Sequence, residues 1–232
     1  KVFMTAGEAS GDKLGAALID GLRKIDPDIE LMGIAGPLMR AKGMNSLFDM
    51  SELSVMGLAE ILPKYAHLKR RIAQTAQAVI DTKPDVLVTI DSPDFSLRVA
   101  KLVKAQSDIP TVHYVAPTVW AWRAGRAKKM AKHIDHVLAL FPFEPPYMTD
   151  VGMSCDFVGH PVVAEPAASS QDIAQLFRDT KLDSDRPILL VLPGSRRGEV
   201  TRIGPIFMDS IARFLQDHSE FQVLGVATDQ TK

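Results

Sequence analysis

The first 25 residues carry the pattern that most constrains how this chain folds. An apolar run at residues 2–6 predicts a strand buried on both faces, and a small polar loop of sequence GEASGD follows at residues 7–12. Apolar side chains then recur at the spacing of one buried helix face, at Leu14, Leu18, Leu22 and Ile25. A strand, a tight loop and a helix in this order predict the first unit of a doubly wound α/β sheet. Such sheets bind ligands beyond the carboxyl ends of their strands.

The loop at residues 7–12 is the first candidate for a binding site. Ser10 is predicted to cap the following helix, and the N–H groups left over in the first turn would suit an anion or a sugar hydroxyl. The loop has neither the glycine spacing of a dinucleotide-binding turn nor the lysine of a P-loop. From the spacing alone, a role in binding and a role in packing are equally open.

Length and composition exclude several classes of protein. The 232 residues suffice for one large α/β domain or for one domain and part of another, and 46% hydrophobic with 24% charged residues is typical of a globular chain. A net charge of −1 provides no general attraction for nucleic acid. Cys155 is the only cysteine, which excludes an internal disulfide and favours the reducing cytoplasm. No apolar run approaches the ~20 residues that a membrane-spanning helix needs.

Strand and helix patterns alternate along the chain. Further strands are predicted at residues 29–35, 85–91, 111–115, 137–141 and 155–158, and helices at residues 36–43, 95–106 and 124–133. A long helical segment at residues 51–83 is expected to kink or restart at Pro63. The alternation predicts a parallel sheet with right-handed crossovers.

Composition changes after the last of these strands. Residues 164–170 are rich in Pro, Ala and Ser, which predicts a linker between a first domain at residues 1–163 and a second at residues 171–232. The second segment restarts the α/β pattern, with strands at residues 187–192 and 221–227. The chain begins without Met inside a predicted strand and stops shortly after another. We therefore expect an excerpt of a longer protein, with the second domain truncated.

Asp91 is the strongest candidate for acid–base chemistry. It ends the clearest strand, DVLVTID, where a carboxylate faces the cleft of such a sheet. Burial at such a position raises the pKa of a carboxyl group toward that of a useful base, and general-base assistance is worth roughly 10²–10⁴ in rate. The alternative, that Asp91 only caps the next helix or ties down the turn, is equally open. Asp94 is the better capping candidate, because it lies next to Phe95, where the returning helix is predicted to begin.

Gly194, Ser195 and Arg196 form the strongest local signal for an anion site. They follow a predicted strand and precede a helix, so backbone N–H groups, the partial positive charge of the helix and a guanidinium would converge there. These groups suit a diphosphate. The alternative is that Arg196 and Arg197 belong to an ordinary solvated surface.

Two tryptophans beside a basic helix indicate a further surface. Trp120, Trp122 and Arg123 precede a cluster of basic residues formed by Arg126, Lys128, Lys129 and Lys132. Sugar stacking on an indole ring, a phosphate or an anionic lipid surface would fit this pattern, and a solvated helix face is the alternative. His113 and His160 flank strand ends and are candidates for substrate contact, although a single histidine is more often structural. The sequence predicts no metal site.

The segment at residues 58–72 combines apolar and basic side chains. Its apolar members include Leu58, Ile61, Leu62, Tyr65 and Leu68, and its basic members are Lys64, Lys69, Arg70 and Arg71. This combination is typical of a helix that lies in a membrane interface. Packing into the protein core would explain the same stripe, so both interpretations stay open.

Several longer motifs resemble the lipid-A-disaccharide synthase family. They are GEASGD at residues 7–12, GIAGPLM at 33–39, VMG at 55–57, IDSPDF at 90–95, HYVAPTVWAWR at 113–123, VGHP at 158–161 and LPGSRRGEV at 192–200. The match runs along nearly the whole chain in the right order. Motifs of this length are far more specific than a glycine triplet.

The resemblance implies an inverting glycosyltransferase with two Rossmann-like domains of the GT-B type, at the cytoplasmic face of the inner membrane. Members of this family transfer 2,3-diacylglucosamine from UDP-2,3-diacylglucosamine to 2,3-diacylglucosamine 1-phosphate and release UDP. The first domain would face the acylated acceptor and the membrane, and the second would hold the UDP-sugar. The resemblance implies no cofactor and no nucleic-acid partner, and it leaves a homodimer open.

The resemblance also implies roles for residues at matching positions. Asp91 would be the base for the acceptor 6-hydroxyl, and Arg196, beside Gly194 and Ser195, would neutralise the leaving diphosphate. Substrate-binding positions would be Glu8, Ser10, Gly11, Trp122, Arg123 and His160. The apolar stripe at residues 58–68 would meet the membrane. The chain ends before the small-residue loop expected to cradle UDP, so we expect the excerpt alone to be inactive.

Two rival interpretations stay open at this point. A different GT-B enzyme, such as a UDP-sugar epimerase, would not need the basic amphipathic surface. A non-catalytic module that binds sugar nucleotides or lipids would bind its ligand without releasing UDP, and a change at Asp91 would cost it nothing.

Overall fold

A computed structural model describes residues 1–53, 58–123, 125–194 and 197–226, with the backbone alone at 58–64 and 197. The chain divides into two compact units, Lys1–Ala164 and Glu165–Lys232. Each unit is built from alternating strands and helices. The predicted α/β class is therefore confirmed.

The first unit is organised around a seven-stranded sheet in which every pairing is parallel. Its strands are β1 (Val2–Ala6), β2 (Leu31–Ile34), β3 (Asn45–Ser46), β4 (Val86–Ile90), β5 (Thr111–Tyr114), β6 (His136–Ala139) and β7 (Ser154–Phe157). They lie in the order β3-β2-β1-β4-β5-β6-β7. The order reverses between β1 and β4, which makes their carboxyl ends the topological switch point of the sheet.

Helices connect most of these strands. They are α1 (Ala9–Ile25), α2 (Pro37–Ala41), α3 (Leu58–Thr82), α4 (Pro93–Lys104), α5 (Gly125–Met130) and α6 (Pro145–Thr149), with short 3-10 helices at Met50–Leu53 and Pro161–Ala164. The sequence patterns did not predict β3 or α6. Two residues of strand and five of helix are too few to show a periodicity.

The core lies against the central strands. All five residues of β1 are buried, as are four of the five in β4, because helices cover both faces of a parallel sheet. The predicted buried face of α1 is only partly right. Leu14 is buried, but Ile25, the last residue of the helix, is 85% exposed.

Asp12 fixes the short helix α2 to α1. Its side chain is almost fully buried, and its two carboxylate oxygens accept hydrogen bonds from the backbone N–H groups of Leu38 and Met39 at 2.8 and 3.0 Å. These N–H groups lie in the first turn of α2, where they have no partner within the helix. The last residue of the GEASGD loop is therefore structural.

The prediction that the long helix restarts at Pro63 is wrong, whereas a kink at this residue stays a prediction. Helix α3 is continuous from Leu58 to Thr82. Pro63 lies within the helix, where its ring removes one N–H donor without ending the helical segment. Ile72, Ala76 and Val79 are buried, so the second half of the predicted stripe belongs to the core.

The second unit contains two parallel strands and two helices in the described residues. They are α7 (Ser170–Thr180), β8 (Ile188–Val191), α8 (Arg197–Asp217) and β9 (Gln222–Gly225). A capping box between Ser169 and Asp172 begins α7. The guanidinium of Arg186 donates to three successive carbonyls before β9, those of Ser219, Glu220 and Phe221. These bonds fix the turn that leads into β9.

Candidate functional site

Asp91 lies at the topological switch point, directly after β4. Its backbone N–H donates to the carbonyl of Tyr114 at 3.0 Å, and its own carbonyl accepts from the Ser96 hydroxyl at 2.8 Å. These bonds tie the end of β4 to β5 and to α4. The side chain is half-buried rather than enclosed, so its carboxylate remains open to a ligand.

The loop after β1 meets Asp91 from the other side. The hydroxyl of Ser10 donates to the Asp91 carboxylate at 3.4 Å. The predicted capping role of Ser10 is wrong, because α1 begins at Ala9 with Glu8 at the N-cap, and this places Ser10 inside the first turn. The hydroxyl points toward the carboxylate instead of capping the helix. Gly11 lies close to β4, where an added Cβ would come within 3.4 Å of the Ile90 carbonyl.

A tight turn directs the Asp91 side chain. Asp91 and Ser92 both adopt the left-handed conformation, with φ of 50° and 44°. This conformation costs a residue other than glycine roughly 1–3 kcal/mol, and such strain is concentrated at functional sites. Gly7 packs against this turn, since a Cβ on it would lie 2.5 Å from Ser92 Oγ. The loops after β1 and β4 therefore hold each other in place.

The predicted capping role of Asp94 is also wrong. Helix α4 begins at Pro93, and Ser92 holds the N-cap position without a side-chain hydrogen bond. Asp94 lies in the first turn with its carboxylate 86% exposed, and it contacts the Arg126 guanidinium at 3.5 Å. A proline at the first helical position begins this helix, because its φ is preset and its missing N–H is not needed there.

A cavity of about 140 Å³ opens beside Asp91 at the ends of β4 and β5. Its lining residues are Asp91, Pro93, His113, Val115, Ala116, Pro117, Thr118 and Arg126. Val115 has a φ of 84°, which is rare for a β-branched residue and marks strain in the wall of the cavity. The sequence motifs HYVAPTVWAWR and IDSPDF thus supply most of one cavity.

His113 is a buried, uncharged wall of this cavity. Its side chain is 1% exposed, and its Nδ1 lies 2.7 Å from the Thr89 hydroxyl. Burial lowers the pKa of His113 to about 4, and the positive charge of Arg126 acts in the same direction. The imidazole is therefore neutral at physiological pH and offers a hydrogen bond rather than a charge. The structure places this histidine in the same cavity as Asp91.

Arg126 is a lining residue that the sequence did not single out from its basic neighbours. Its side chain is 20% exposed, whereas Lys128 and Lys129 are exposed. The distinguishing signal is spacing, since Arg126 lies one helical turn before Met130, which is buried. Arg126 thus shares the inward side of α5, and the lysines form the solvated face.

The other substrate-binding candidates of the first unit lie near strand ends. The Trp122 indole N–H donates to the Thr118 hydroxyl at 2.9 Å, and the Arg123 guanidinium lies 4.4 Å from the centre of the Trp122 ring. The Nδ1 atom of His160 accepts from the Val162 N–H at 3.1 Å, which gives it a local role in the turn after β7. Glu8 is half-buried at the start of α1.

An exposed aromatic cluster lies beyond β5 and β6. Trp120 contacts Phe143 edge-on at a centroid distance of 5.3 Å, and Phe143 stacks on Phe141 at 5.6 Å. All three rings are about half exposed. Buried Glu144 holds the loop beneath them by accepting the N–H groups of Leu140 and Phe141. The loop that carries Phe141 and Phe143 is therefore held in place by hydrogen bonds.

The predicted membrane stripe lies only partly within the described side chains. Leu58, Ile61 and Leu62 fall outside them, whereas Tyr65 is 51% exposed and Leu68 is half-buried. Among the neighbouring basic residues, Arg71 makes a two-pronged ion pair with Glu52, so its charge is already paired within the protein. Lys69 and Arg70 are exposed.

The predicted diphosphate turn is described only at its first residue. Ser195 and Arg196 lie outside the described residues. Gly194 has a φ of 113°, and a Cβ on it would lie 2.6 Å from the Glu199 carboxylate. The positive φ favours glycine at this position, whereas the flexible Glu199 side chain could move aside.

The described residues provide no metal-binding cluster, no membrane-spanning helix and no reactive thiolate. No group of three or more His, Cys, Asp or Glu side chains in this part of the chain could hold a metal ion. None of its helices is long and apolar enough to cross a membrane. Burial raises the pKa of the Cys155 thiol to about 11, so it is not a reactive thiolate. A shallow hollow along α7 has no buried polar group among its lining residues.

Comparison with known proteins identifies one family. A family model described as lipid-A-disaccharide synthetase matches residues 2–231. A lipid-A-disaccharide synthase from Ruegeria pomeroyi is 63% identical over 224 residues, which are 97% of this chain and 56% of that protein. One from Pseudomonas aeruginosa is 44% identical over 215 residues, which are 93% of this chain and 56% of that protein. The chain spans about half the length of these curated relatives.

Solved structures share the fold at low sequence identity. One is UDP-GlcNAc 2-epimerase from Neisseria meningitidis bound to UDP-GlcNAc, with a TM-score of 0.67 and 15% sequence identity. The match covers 98% of this chain and 65% of the epimerase chain. The UDP-GlcNAc 2-epimerase from Methanocaldococcus jannaschii, in complex with UDP-GlcNAc and UDP, has a TM-score of 0.60 at 14% identity. That match covers 99% of this chain and 66% of the other. This likeness shows the fold alone, and it confirms the predicted GT-B type.

Proposed function

The chain belongs to the lipid-A-disaccharide synthase family, and we propose that the whole protein transfers 2,3-diacylglucosamine from UDP-2,3-diacylglucosamine to 2,3-diacylglucosamine 1-phosphate. Family membership rests on the match over residues 2–231 and on relatives at 63% and 44% identity. The observation that carries the proposal within the chain is the position of Asp91. A carboxylate open to a ligand lies where the two halves of the doubly wound sheet diverge.

In this proposal Asp91 is the general base. Its carboxylate takes the proton of the acceptor 6-hydroxyl as the hydroxyl oxygen attacks the anomeric carbon of the donor sugar. The bond from that carbon to the diphosphate breaks on the opposite face, so the configuration inverts and UDP leaves with the electron pair. Support comes from the Ser10 hydroxyl, which donates to the Asp91 carboxylate and so helps to orient it at the switch point.

The donor side of the proposal involves the second unit. Gly194, Ser195 and Arg196 bind the diphosphate, and Arg196 neutralises the charge that develops on UDP. The positive φ of Gly194 supports a tight turn at this point. We assign residues 1–163 to the acceptor- and membrane-facing domain, residues 164–170 to a linker, and residues 171–232 to the start of the UDP-sugar domain.

We further propose that the protein binds the inner membrane peripherally from the cytoplasm. Both substrates carry acyl chains, which do not leave a membrane readily because their exposure to water is unfavourable. The apolar stripe formed by Leu58, Ile61, Leu62, Tyr65 and Leu68 would enter the interface. The exposed cluster of Trp120, Phe141 and Phe143 supports this proposal, because aromatic rings are enriched at membrane–water interfaces.

A substrate-omission assay tests the proposed reaction. UDP release by the whole protein is measured with the donor alone, the acceptor alone and both acylated sugars. We expect release only with both. Conversion of a UDP-sugar into an isomer without acceptor would instead support a UDP-sugar epimerase. Binding of either sugar without UDP release would support a non-catalytic module.

A further inference from the structure

Arg126 is a mostly buried cation whose described ion pair, with Asp94, is weak. Its side chain is 20% exposed, and its contact with Asp94 is long, at 3.5 Å, to a carboxylate that is 86% exposed. Ion pairs to such exposed carboxylates contribute little. Partial burial of a guanidinium is costly unless the group is well paired. The site is therefore prepared for an anion.

The surroundings of Arg126 indicate what kind of anion would bind. Arg126 lines the same cavity as Asp91, His113 and Thr118. The Thr118 oxygen accepts from the Trp122 indole, which leaves its own O–H as a donor at the mouth of the cavity. Uncharged His113 provides a polar wall. A guanidinium with a neighbouring hydroxyl is a combination suited to phosphate.

From this arrangement we infer that Arg126 binds the anomeric phosphate of the acceptor sugar. The inference rests on the proposed function and deepens it. A single sugar ring would then span the cavity, with its phosphate on Arg126 and its 6-hydroxyl at Asp91. The cavity volume of about 140 Å³ suits the polar end of the substrate and leaves the acyl chains outside.

Binding of the phosphate by Arg126 would also let the protein distinguish the acceptor from the donor. The anomeric oxygen of the acceptor carries a phosphate monoester, which presents up to two negative charges to a guanidinium. In the donor the same oxygen is esterified to the diphosphate of UDP. Arg126 thus selects the acceptor and orients it, and the proton transfer stays with Asp91.

Steady-state kinetics of the whole protein test this role. We expect Arg126→Gln to raise the KM for 2,3-diacylglucosamine 1-phosphate tenfold or more, because a charge-assisted bond is lost, and to change the donor KM less than twofold. Arg126→Lys keeps the charge but loses the two-pronged geometry, so an intermediate KM is expected. Lys129→Gln, which removes a charge from the exposed face of the same helix, is the matched control and leaves both values unchanged.

An acceptor without its phosphate provides the decisive comparison. With 2,3-diacylglucosamine, the parent protein and Arg126→Gln are expected to be equally poor. An unchanged KM for the phosphorylated acceptor in folded Arg126→Gln or Arg126→Lys would overturn the inference, as would a rise in the donor KM alone. If Asp94→Asn reproduced the full loss, Arg126 would act only through its ion pair.

A binding experiment keeps this inference separate from the proposed reaction. Isothermal titration of the whole protein compares glucosamine 1-phosphate with glucosamine. We expect the parent to bind the phosphorylated sugar at least tenfold more tightly and Arg126→Gln to lose that preference. If the whole protein releases no UDP, the proposed function fails, but the titration still decides the role of Arg126. Equal affinity of the parent for both sugars would contradict that role.

Discussion

The Ser10 hydroxyl donates a hydrogen bond to the Asp91 carboxylate across the switch point of the sheet, at 3.4 Å. The two residues are 81 positions apart in sequence and come from the loops after β1 and β4. They meet because β1 pairs directly with β4 in register, so that the ends of both strands lie at the same height. The parallel topology thus brings together two motifs that are separate in the sequence.

The hydrogen bond from Ser10 is expected to have only a modest effect on catalysis by Asp91. The bond is long and Ser10 is exposed, so its loss should cost no more than about 1 kcal/mol. We predict that Ser10→Ala in the whole protein lowers kcat less than tenfold and leaves the melting temperature unchanged. Steady-state kinetics and thermal melting measure both. A loss of a hundredfold would show that Ser10 takes part in the chemistry itself.

Gly7 is predicted to determine the geometry of the Asp91 turn. In Gly7→Ala the new Cβ would lie 2.5 Å from Ser92 Oγ and 2.8 Å from Ser92 Cβ, so the turn must shift. We expect a lower melting temperature and at least a tenfold loss of kcat. Gly21→Ala is the control, because its Cβ would meet no described atom within 4 Å and alanine favours a helix by about 1 kcal/mol. Wild-type kcat and melting in Gly7→Ala would refute the packing argument.

His113 is predicted to make stability depend on pH. Its pKa falls from 6.5 to about 4 on folding, so the unfolded chain binds more protons between these values and stability decreases as pH falls through this range. From pH 7 to 5.5 the loss attributable to His113 is about 1 kcal/mol. Urea unfolding at both values measures it. We expect His113→Gln to remove this part of the slope, even if the variant is less stable at both; an unchanged slope would contradict the prediction.

The membrane proposal predicts different effects of substitutions in the first and the second half of α3. Ile61→Ser/Leu62→Ser should remain folded by circular dichroism, lose co-sedimentation with anionic vesicles and turn over acylated substrates poorly. Each apolar side chain contributes roughly 1.5–3 kcal/mol when fully buried in the interface. Ile72→Ser is the control for a core position, since Ile72 is buried in α3, and it should unfold. A folded double variant that still binds vesicles would exclude this stripe as the membrane contact.

Much of the fold could be predicted because it rests on periodic apolar patterns. The buried strands β1 and β4 are continuous apolar runs, and a strand covered on both faces must have such a sequence. Details at helix ends could not be predicted in the same way. Both Ser10 and Asp94 have the chemistry of a cap, but the actual start of each helix is set by packing at the switch point.

The position of Asp91 at the switch point was predictable, and the position of Arg126 in the cavity wall was not. Asp91 stands at the end of a recognisable strand, which fixes its position in any sheet of this type. Arg126 lies in a six-residue helix among other basic residues, and only the burial of Met130 one turn later separates it from Lys128 and Lys129. Which basic residue faces a cavity depends on contacts between elements distant in sequence.

The most direct test of the account is the Asp91→Asn variant of the whole protein. The amide keeps the shape and hydrogen bonds of the side chain but cannot accept the proton of the acceptor. We predict that kcat for UDP release with both acylated sugars falls at least about a hundredfold, with melting temperature and UDP affinity unchanged. Asp108→Asn, which alters an exposed carboxylate in the same unit, should retain full activity. Near-normal kcat in a folded Asp91→Asn protein would remove Asp91 from the mechanism and contradict the account.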